Sequence, residues 1–284
     1  MSFDTLTPRL KQVSQGALSF CKKRYGKNGL RIGEAIDDDI GWKPTFHFKP
    51  RSSLIIGIEV NEVLYPTALK VAAHDIKLFD YPISVYLGCP LEVYQADPQQ
   101  RTIQQLRKHG FGIITVDDQG KAVIQCGCIP LAQHIPESEF DEEVRSLPQR
   151  IRVAFNTALT TYQTNEGQGV QEGSQIVEAL VGTLAEQTVR RGTATRSALT
   201  GTAADTIDGL YVLPSFKNHR AALAGARDFL REHRNVASHP SGTAKEAIAK
   251  IRRCRSGFFE AVRTTKRLVE AIKALGLRPT IHVT

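Results

Sequence analysis

Residues 43–62 read KPTFHFKPRSSLIIGIEVNE, and the parsing of this stretch decides the architecture of the first half of the chain. Phe46 and Phe48 alternate with polar neighbours, and 54–60 is a short β-branched run. The turn-forming residues Pro50, Arg51, Ser52 and Ser53 lie between them. Alternation over a few residues, then a turn, then a second apolar run predicts two strands joined as a hairpin. Working outward, 5–26 (TLTPRLKQVSQGALSFCKKRYG) and 67–80 (TALKVAAHDIKLFD) carry apolar residues at helical spacing. Residues 81–89 (YPISVYLGC) form a buried-strand run, and 97–110 (DPQQRTIQQLRKHG) an aspartate-capped helix. Residues 111–126 (FGIITVDDQGKAVIQC) are a strand, a turn and another strand. Strands crossed by helices of this length predict an α/β domain with a partly parallel sheet.

The second half contains no convincing strand. Residues 147–163, 173–192, 216–239 and 243–276 each place apolar residues three or four apart, the pattern of amphipathic helices. In the last of them Ile248, Ile251, Phe258, Val262, Val269 and Ile272 make a core stripe beside a basic face. The acidic, proline-containing stretch IPESEFDEEVRSLPQR, 135–150, is the linker expected between an α/β domain over 1–136 and a helical domain over 145–284.

Charge divides at the same place. Of 37 Lys+Arg and 29 Asp+Glu in 284 residues, 16 and 18 fall in 1–144, and 21 and 11 in the remainder, giving −2 and +10. A basic helical half predicts an anionic partner, nucleic acid or an acidic surface. No window offers the roughly 18 apolar residues a membrane span needs, and residues 1–20 lack the uninterrupted apolar segment of a secretory signal, so a soluble cytoplasmic protein is expected. The five cysteines form no C-x-x-C pair, which points to neither a disulfide framework nor a zinc ribbon.

The chemistry-bearing stretch is FLREHRNVASHPSG, 229–242. On a continuous α-helix, residues five apart point about 140° away from each other, with roughly 7.5 Å of rise between them. Pro240, however, disfavours helical geometry at His239 and lets that side chain turn back toward Arg234, unless a second copy of the chain completes the site. A cation near a helix end followed by proline is also an ordinary way to finish a helix.

With Asn235 directly after the arginine, Arg234-x4-His239 resembles the motif of the HEPN superfamily, whose ribonuclease members carry R-x(4-6)-H. The resemblance covers about residues 148–277. It implies a HEPN-like all-α bundle, a homodimer with a composite cleft, and endoribonuclease activity without a cofactor or metal. Independently, RNA brings its own nucleophile, the 2′-OH. An imidazole near neutral pKa suits the proton transfers, and a guanidinium suits the charged phosphorane. His239 is then the expected general acid or base, Arg234 the phosphate ligand and Asn235 an orienting group, leaving a 2′,3′-cyclic phosphate. Arg231, Arg252, Arg253 and Arg255 are candidate RNA contacts, and His233 a further contact or a surface charge.

The order helix, hairpin, helix, strand, helix, strand resembles the restriction-endonuclease-like fold with its P-D-x(n)-D/E-x-K signature. Pro44-Thr45 stands where that signature has Pro-Asp, and Glu59-Val60-Asn61 where it has Glu-x-Lys. Thr45 brings no charge to an ion and Asn61 no ammonium, so the domain is expected to be catalytically degenerate. A residual site would draw on Glu34, Asp38, Lys43, Glu59 and Asn61; the domain is otherwise expected to recognise a nucleic acid, a nucleotide or a protein trigger, or to control the helical domain, with Trp42 and His47 beside the hairpin lining such a pocket.

The expectation is therefore a metal-independent RNA endonuclease of the toxin or phage-defence kind, partnered by RNA, a second copy and a regulatory protein or antitoxin, with no membrane association. The alternatives are a Mg²⁺-dependent DNA nuclease acting through Glu59, and a non-catalytic nucleic-acid-binding scaffold in which Arg234 and His239 cap a helix.

Overall fold

A computed structural model describes residues 3, 6–51, 53–64, 69, 73–77, 81–97, 100–234 and 242–281, without the side chain of Arg234. The chain divides into two compact units, Met1–Pro136 with Ser241–Arg252, and Glu137–Pro240 with Arg253–Thr284.

The first unit is built on a six-stranded mixed sheet: β1 (Arg31–Ile32), β2 (Phe46–Arg51), β3 (Leu54–Val60), β4 (Ile83–Pro90), β5 (Gly112–Val116) and β6 (Ala122–Cys126), arranged in chain order. The β2–β3 hairpin pairs antiparallel with Phe46 opposite Ile58 and His47 opposite Gly57. β4 pairs parallel with both β3 and β5, and β6 returns antiparallel along β5. Every residue of β4 is buried, as expected of a central strand covered on both faces.

Helix α1 (Pro8–Tyr25) starts where the Thr7 side chain accepts the Leu10 amide and Pro8 occupies the first turn. Its Val13, Ala17 and Cys21 cover one sheet face, packing on Phe46, Phe48 and Ile58. Gly16 permits this approach, because a Cβ there would come 2.6 Å from the Gly120 carbonyl oxygen in the β5–β6 turn. The other face packs Ile55, Val85, Leu87 and Ile113 under Leu69, Ile76, Ile103 and Leu106, with Ile40 and the partly buried Trp42 from the β1–β2 connection. Short α2 (Leu91–Gln95) follows β4, and α3 (Arg101–Lys108) precedes β5. The cap expected for α3 comes from Asp97, whose carboxylate accepts the amides of Arg101, Thr102 and Ile103 at 3.1, 2.9 and 3.1 Å.

The second unit is helical: α4 (Glu137–Val144), α5 (Gln149–Tyr162), α6 (Glu166–Arg190), α7 (Ala203–Tyr211), α8 (Arg220–Phe229) and the part of α9 (Ala244–Ala274) beyond residue 252. Its core centres on Phe258, whose ring lies 5.0 Å from Tyr162, 6.1 Å from Phe140 and 6.3 Å from Phe155. The boundary between the two units falls within the acidic stretch 135–150, between Pro136 and Glu137, and the residues after it belong to the second unit. Glu137–Val144 folds as α4 because Phe140 and Val144 find the core, while Glu139 and Glu143 pair with Arg255 and Lys266 of α9.

These observations correct the expected fold class, a restriction-endonuclease-like α/β domain plus a HEPN-like all-α bundle. The chain has a six-stranded mixed sheet in its N-terminal half and a helical C-terminal region. The start of its last helix groups with the sheet-bearing unit rather than with the other helices. The order of elements predicted along a chain does not fix which strands form the edges or which neighbours a helix packs against, so many architectures share one such order.

Candidate functional site

Helix α8 buries Leu223, Ala226 and Phe229, then continues into a π-helical turn, Leu230–Arg234. Regular α-helical winding therefore ends before the motif begins at Arg234. Such wide turns are rare and recur at functional sites, because they re-aim side chains that a regular helix would fix.

His233 is the best-defined group in this turn. Its ring stacks on Phe229, with centroids 5.3 Å apart and planes 29° apart. Its Nδ1 lies against Gly257 of α9, where an added Cβ would come within 2.8 Å. Arg253 and Glu260 flank that glycine on the same helix face. Burial is the main cause holding the imidazole below the usual histidine value of 6.5; Glu232 and Glu260 oppose the shift and Arg253 assists it. His233 is thus a seated, half-buried side chain rather than a surface charge. A pattern signal existed in the Phe229-x3-His233 spacing, but Gly257 lies 24 positions away on another helix.

The side chain of Arg234, together with Asn235 and His239, lies outside the described residues. Of the candidate RNA contacts, Arg231 is exposed and pairs with Asp228 at 3.4 Å and Glu232 at 3.8 Å. Arg252 and Arg253 are exposed. Arg255 is committed to internal contacts: its Nη2 donates to both carboxylate oxygens of Glu139 at 2.6 Å, and its guanidinium lies 5.3 Å from the centre of the Phe259 ring. Lys266 donates to Glu143 at 2.7 Å, which holds that carboxyl below its usual range. Part of the basic excess of the second half is therefore neutralised within the unit by α4.

In the sheet-bearing unit, the Glu59 and Thr45 side chains at the expected nuclease signature are engaged in hydrogen bonds. Glu59 accepts the Trp42 indole N–H at 3.0 Å, and its carboxyl is pushed up by burial against that hydrogen bond's opposing effect. The Thr45 hydroxyl accepts the Val60 amide at 2.9 Å. The Asn61 amide donates to the Gly88 carbonyl at 2.9 Å, extending the β3–β4 pairing. Glu34 is exposed and 3.6 Å from Arg31, and Asp38 is exposed. Gly57 makes room for Trp42, whose ring atom Cη2 would meet an added Cβ at 2.6 Å. His47, opposite Gly57, is buried and its Nδ1 has no hydrogen-bond partner among the described residues. Burial depresses its pKa. Among the described residues no three His, Cys, Asp or Glu side chains assemble as a metal ion would require. No described helix is long and apolar enough to cross a membrane.

Comparison with protein-family models, with curated proteins and with solved structures yields no match for this chain.

Proposed function

We propose that the chain is a metal-independent endoribonuclease, with Arg234 and His239 as its reacting pair and Asn235 orienting one of them. The observation that carries this is the placement of Arg234 at the end of the π-helical turn, next to the seated His233, in the half of the chain, 145–284, that carries 21 Lys+Arg against 11 Asp+Glu. The chemistry of the motif supports it without appeal to a fold family. Arg234 holds the scissile phosphate and the charge developing on it, while His239 moves the proton of the 2′-OH or of the leaving 5′-oxygen. The products are a 2′,3′-cyclic phosphate and a free 5′-hydroxyl. A composite site made by two copies, a cytoplasmic location, restraint by a regulatory protein or antitoxin and a growth-arresting or phage-defence role complete the proposal.

The engagement of Glu59 by Trp42 and of Thr45 by the β3 backbone gives no support to a DNA nuclease built on the sheet. Incubation of the purified protein with total RNA, with and without EDTA, followed by end-group analysis, tests the function. Cleavage that persists in chelator, leaves cyclic phosphate ends and disappears in His239→Ala is expected. Equal cleavage by the parent and His239→Ala proteins in EDTA overturns the role of His239, and cleavage abolished by EDTA overturns the mechanism.

A further inference from the structure

A groove of about 470 Å³ opens in the second unit between the C-terminal end of α6 and the segment 196–206. This size falls within the range of small-ligand sites. Its lining combines charged side chains of both signs with an apolar wall, the Glu186 carboxylate standing among them as the exposed partner of Arg190. Arg190 of α6 and Arg196 of the 3₁₀ turn Arg196–Leu199 bring guanidinium groups, and Thr200, whose hydroxyl donates to the Ser197 carbonyl at 3.2 Å, also lines it. Ala185, Val189 and Leu199 supply an apolar wall.

Two glycines shape the groove. Gly182 lies in its lining, and a Cβ built there would meet no atom within 4 Å. A side chain at 182 would therefore project into open space. Gly209 of α7 does the reverse. A Cβ there would come 2.2 Å from the Ala198 carbonyl oxygen, so its absence lets the turn that carries Arg196 pack directly on α7. Arg196 is thus held by a clamped turn rather than by a free loop. Among the described residues no ion pair engages it, whereas Arg190 shares Glu186 in an exposed pair at 3.6 Å.

We propose that this groove binds a nucleoside monophosphate, either free or as the phosphorylated end of an oligonucleotide. The two guanidiniums take the phosphate monoester, with Arg190 exchanging its weak exposed partner for it, and the apolar wall takes the base. The site goes beyond the cleavage chemistry and uses neither Arg234 nor His239.

The test is isothermal titration of full-length His239→Ala protein, in which cleavage by His239 plays no part, with AMP and CMP, with adenosine, with inorganic phosphate, and with a short oligonucleotide with or without a terminal phosphate. The mononucleotides or the phosphorylated oligonucleotide are expected to bind at least tenfold more tightly than their unphosphorylated counterparts and than inorganic phosphate. Binding of the mononucleotides identifies a free nucleotide as sufficient, and binding of the phosphorylated oligonucleotide alone identifies a strand end. Gly182→Leu, which fills open space at an exposed helical position, is expected to weaken binding at least tenfold while leaving or raising the melting temperature. Arg196→Ala is expected to weaken it to a similar degree. Absence of binding at millimolar ligand, equal binding of bare phosphate, or binding unchanged by Gly182→Leu and Arg196→Ala overturns the proposal. None of these outcomes bears on whether the parent protein cuts RNA.

Discussion

The imidazole of His233 rests on Gly257, with Nδ1 so close that a single added carbon on the glycine would stand 2.8 Å away. This contact seats the π-helical turn, Leu230–Arg234, against α9. Gly257→Ala gains about 0.5–1 kcal/mol of helix propensity but forces His233 off its seat, at a cost of about 1–3 kcal/mol. A net loss of roughly 1 kcal/mol is expected in urea unfolding. The double variant Gly257→Ala/His233→Ala is expected to be more stable than the sum of the two single effects implies, because the colliding ring is gone.

Burial depresses the pKa of His233 in the folded state, so the unfolded chain takes up the proton first as pH falls. The stability contributed by the seated neutral ring is complete above the unfolded value near 6.5 and declines as pH drops from there through the lower folded-state pKa. Chemical denaturation from pH 8 to 5 is expected to show less loss of stability on acidification for His233→Gln than for the parent. His47, shifted in the same direction, retains its own share of the dependence in both proteins.

Glu59 has the opposite linkage. Its carboxyl is raised by burial, so the folded protein holds the proton longer, and stability falls as pH rises from the unfolded carboxylate value through the higher folded one. Glu59→Gln keeps an acceptor for Trp42 and removes the buried charge. A higher melting temperature at pH 7 and little change at pH 4 are expected. Trp42→Phe, which leaves the carboxylate without its indole donor, is expected to cost about 1–3 kcal/mol at pH 7.

The Arg255–Glu139 pair joins α9 to α4 with both side chains more than a third exposed. A double-mutant cycle with Arg255→Met and Glu139→Gln is expected to give a coupling of about 0.5–1 kcal/mol that shrinks in 1 M salt. A larger coupling, insensitive to salt, would mean that the contact is shielded from solvent.

Asp97 satisfies three amides at the start of α3. Asp97→Ala is expected to destabilise the sheet-bearing unit by about 1 kcal/mol, read as a lower melting temperature, whereas Asp97→Asn should retain most of the cap.

The strands and helices were legible because periodicity is a local property. The alternation around Phe46 and Phe48, the apolar run of β4, the Asp97 cap and the spacing of apolar residues in α5, α6 and α9 each declare themselves within about ten residues. The motif Arg234, Asn235 and His239 was equally readable as a pattern. The place of the boundary was legible in the acidic stretch before residue 145, but its packing as α4 was not, because its charges are paired by Arg255 and Lys266 more than a hundred positions away.

Local order along the chain also left open the strand at each sheet edge, the transfer of residues 241–252 to the sheet-bearing unit, the Glu59–Trp42 hydrogen bond and the seat of His233 on Gly257. Each depends on residues distant in the chain meeting at a few ångströms. Composition and periodicity specify which face of an element is apolar, but the partner for that face, and the polar group that must be satisfied beside it, are chosen when the whole chain packs.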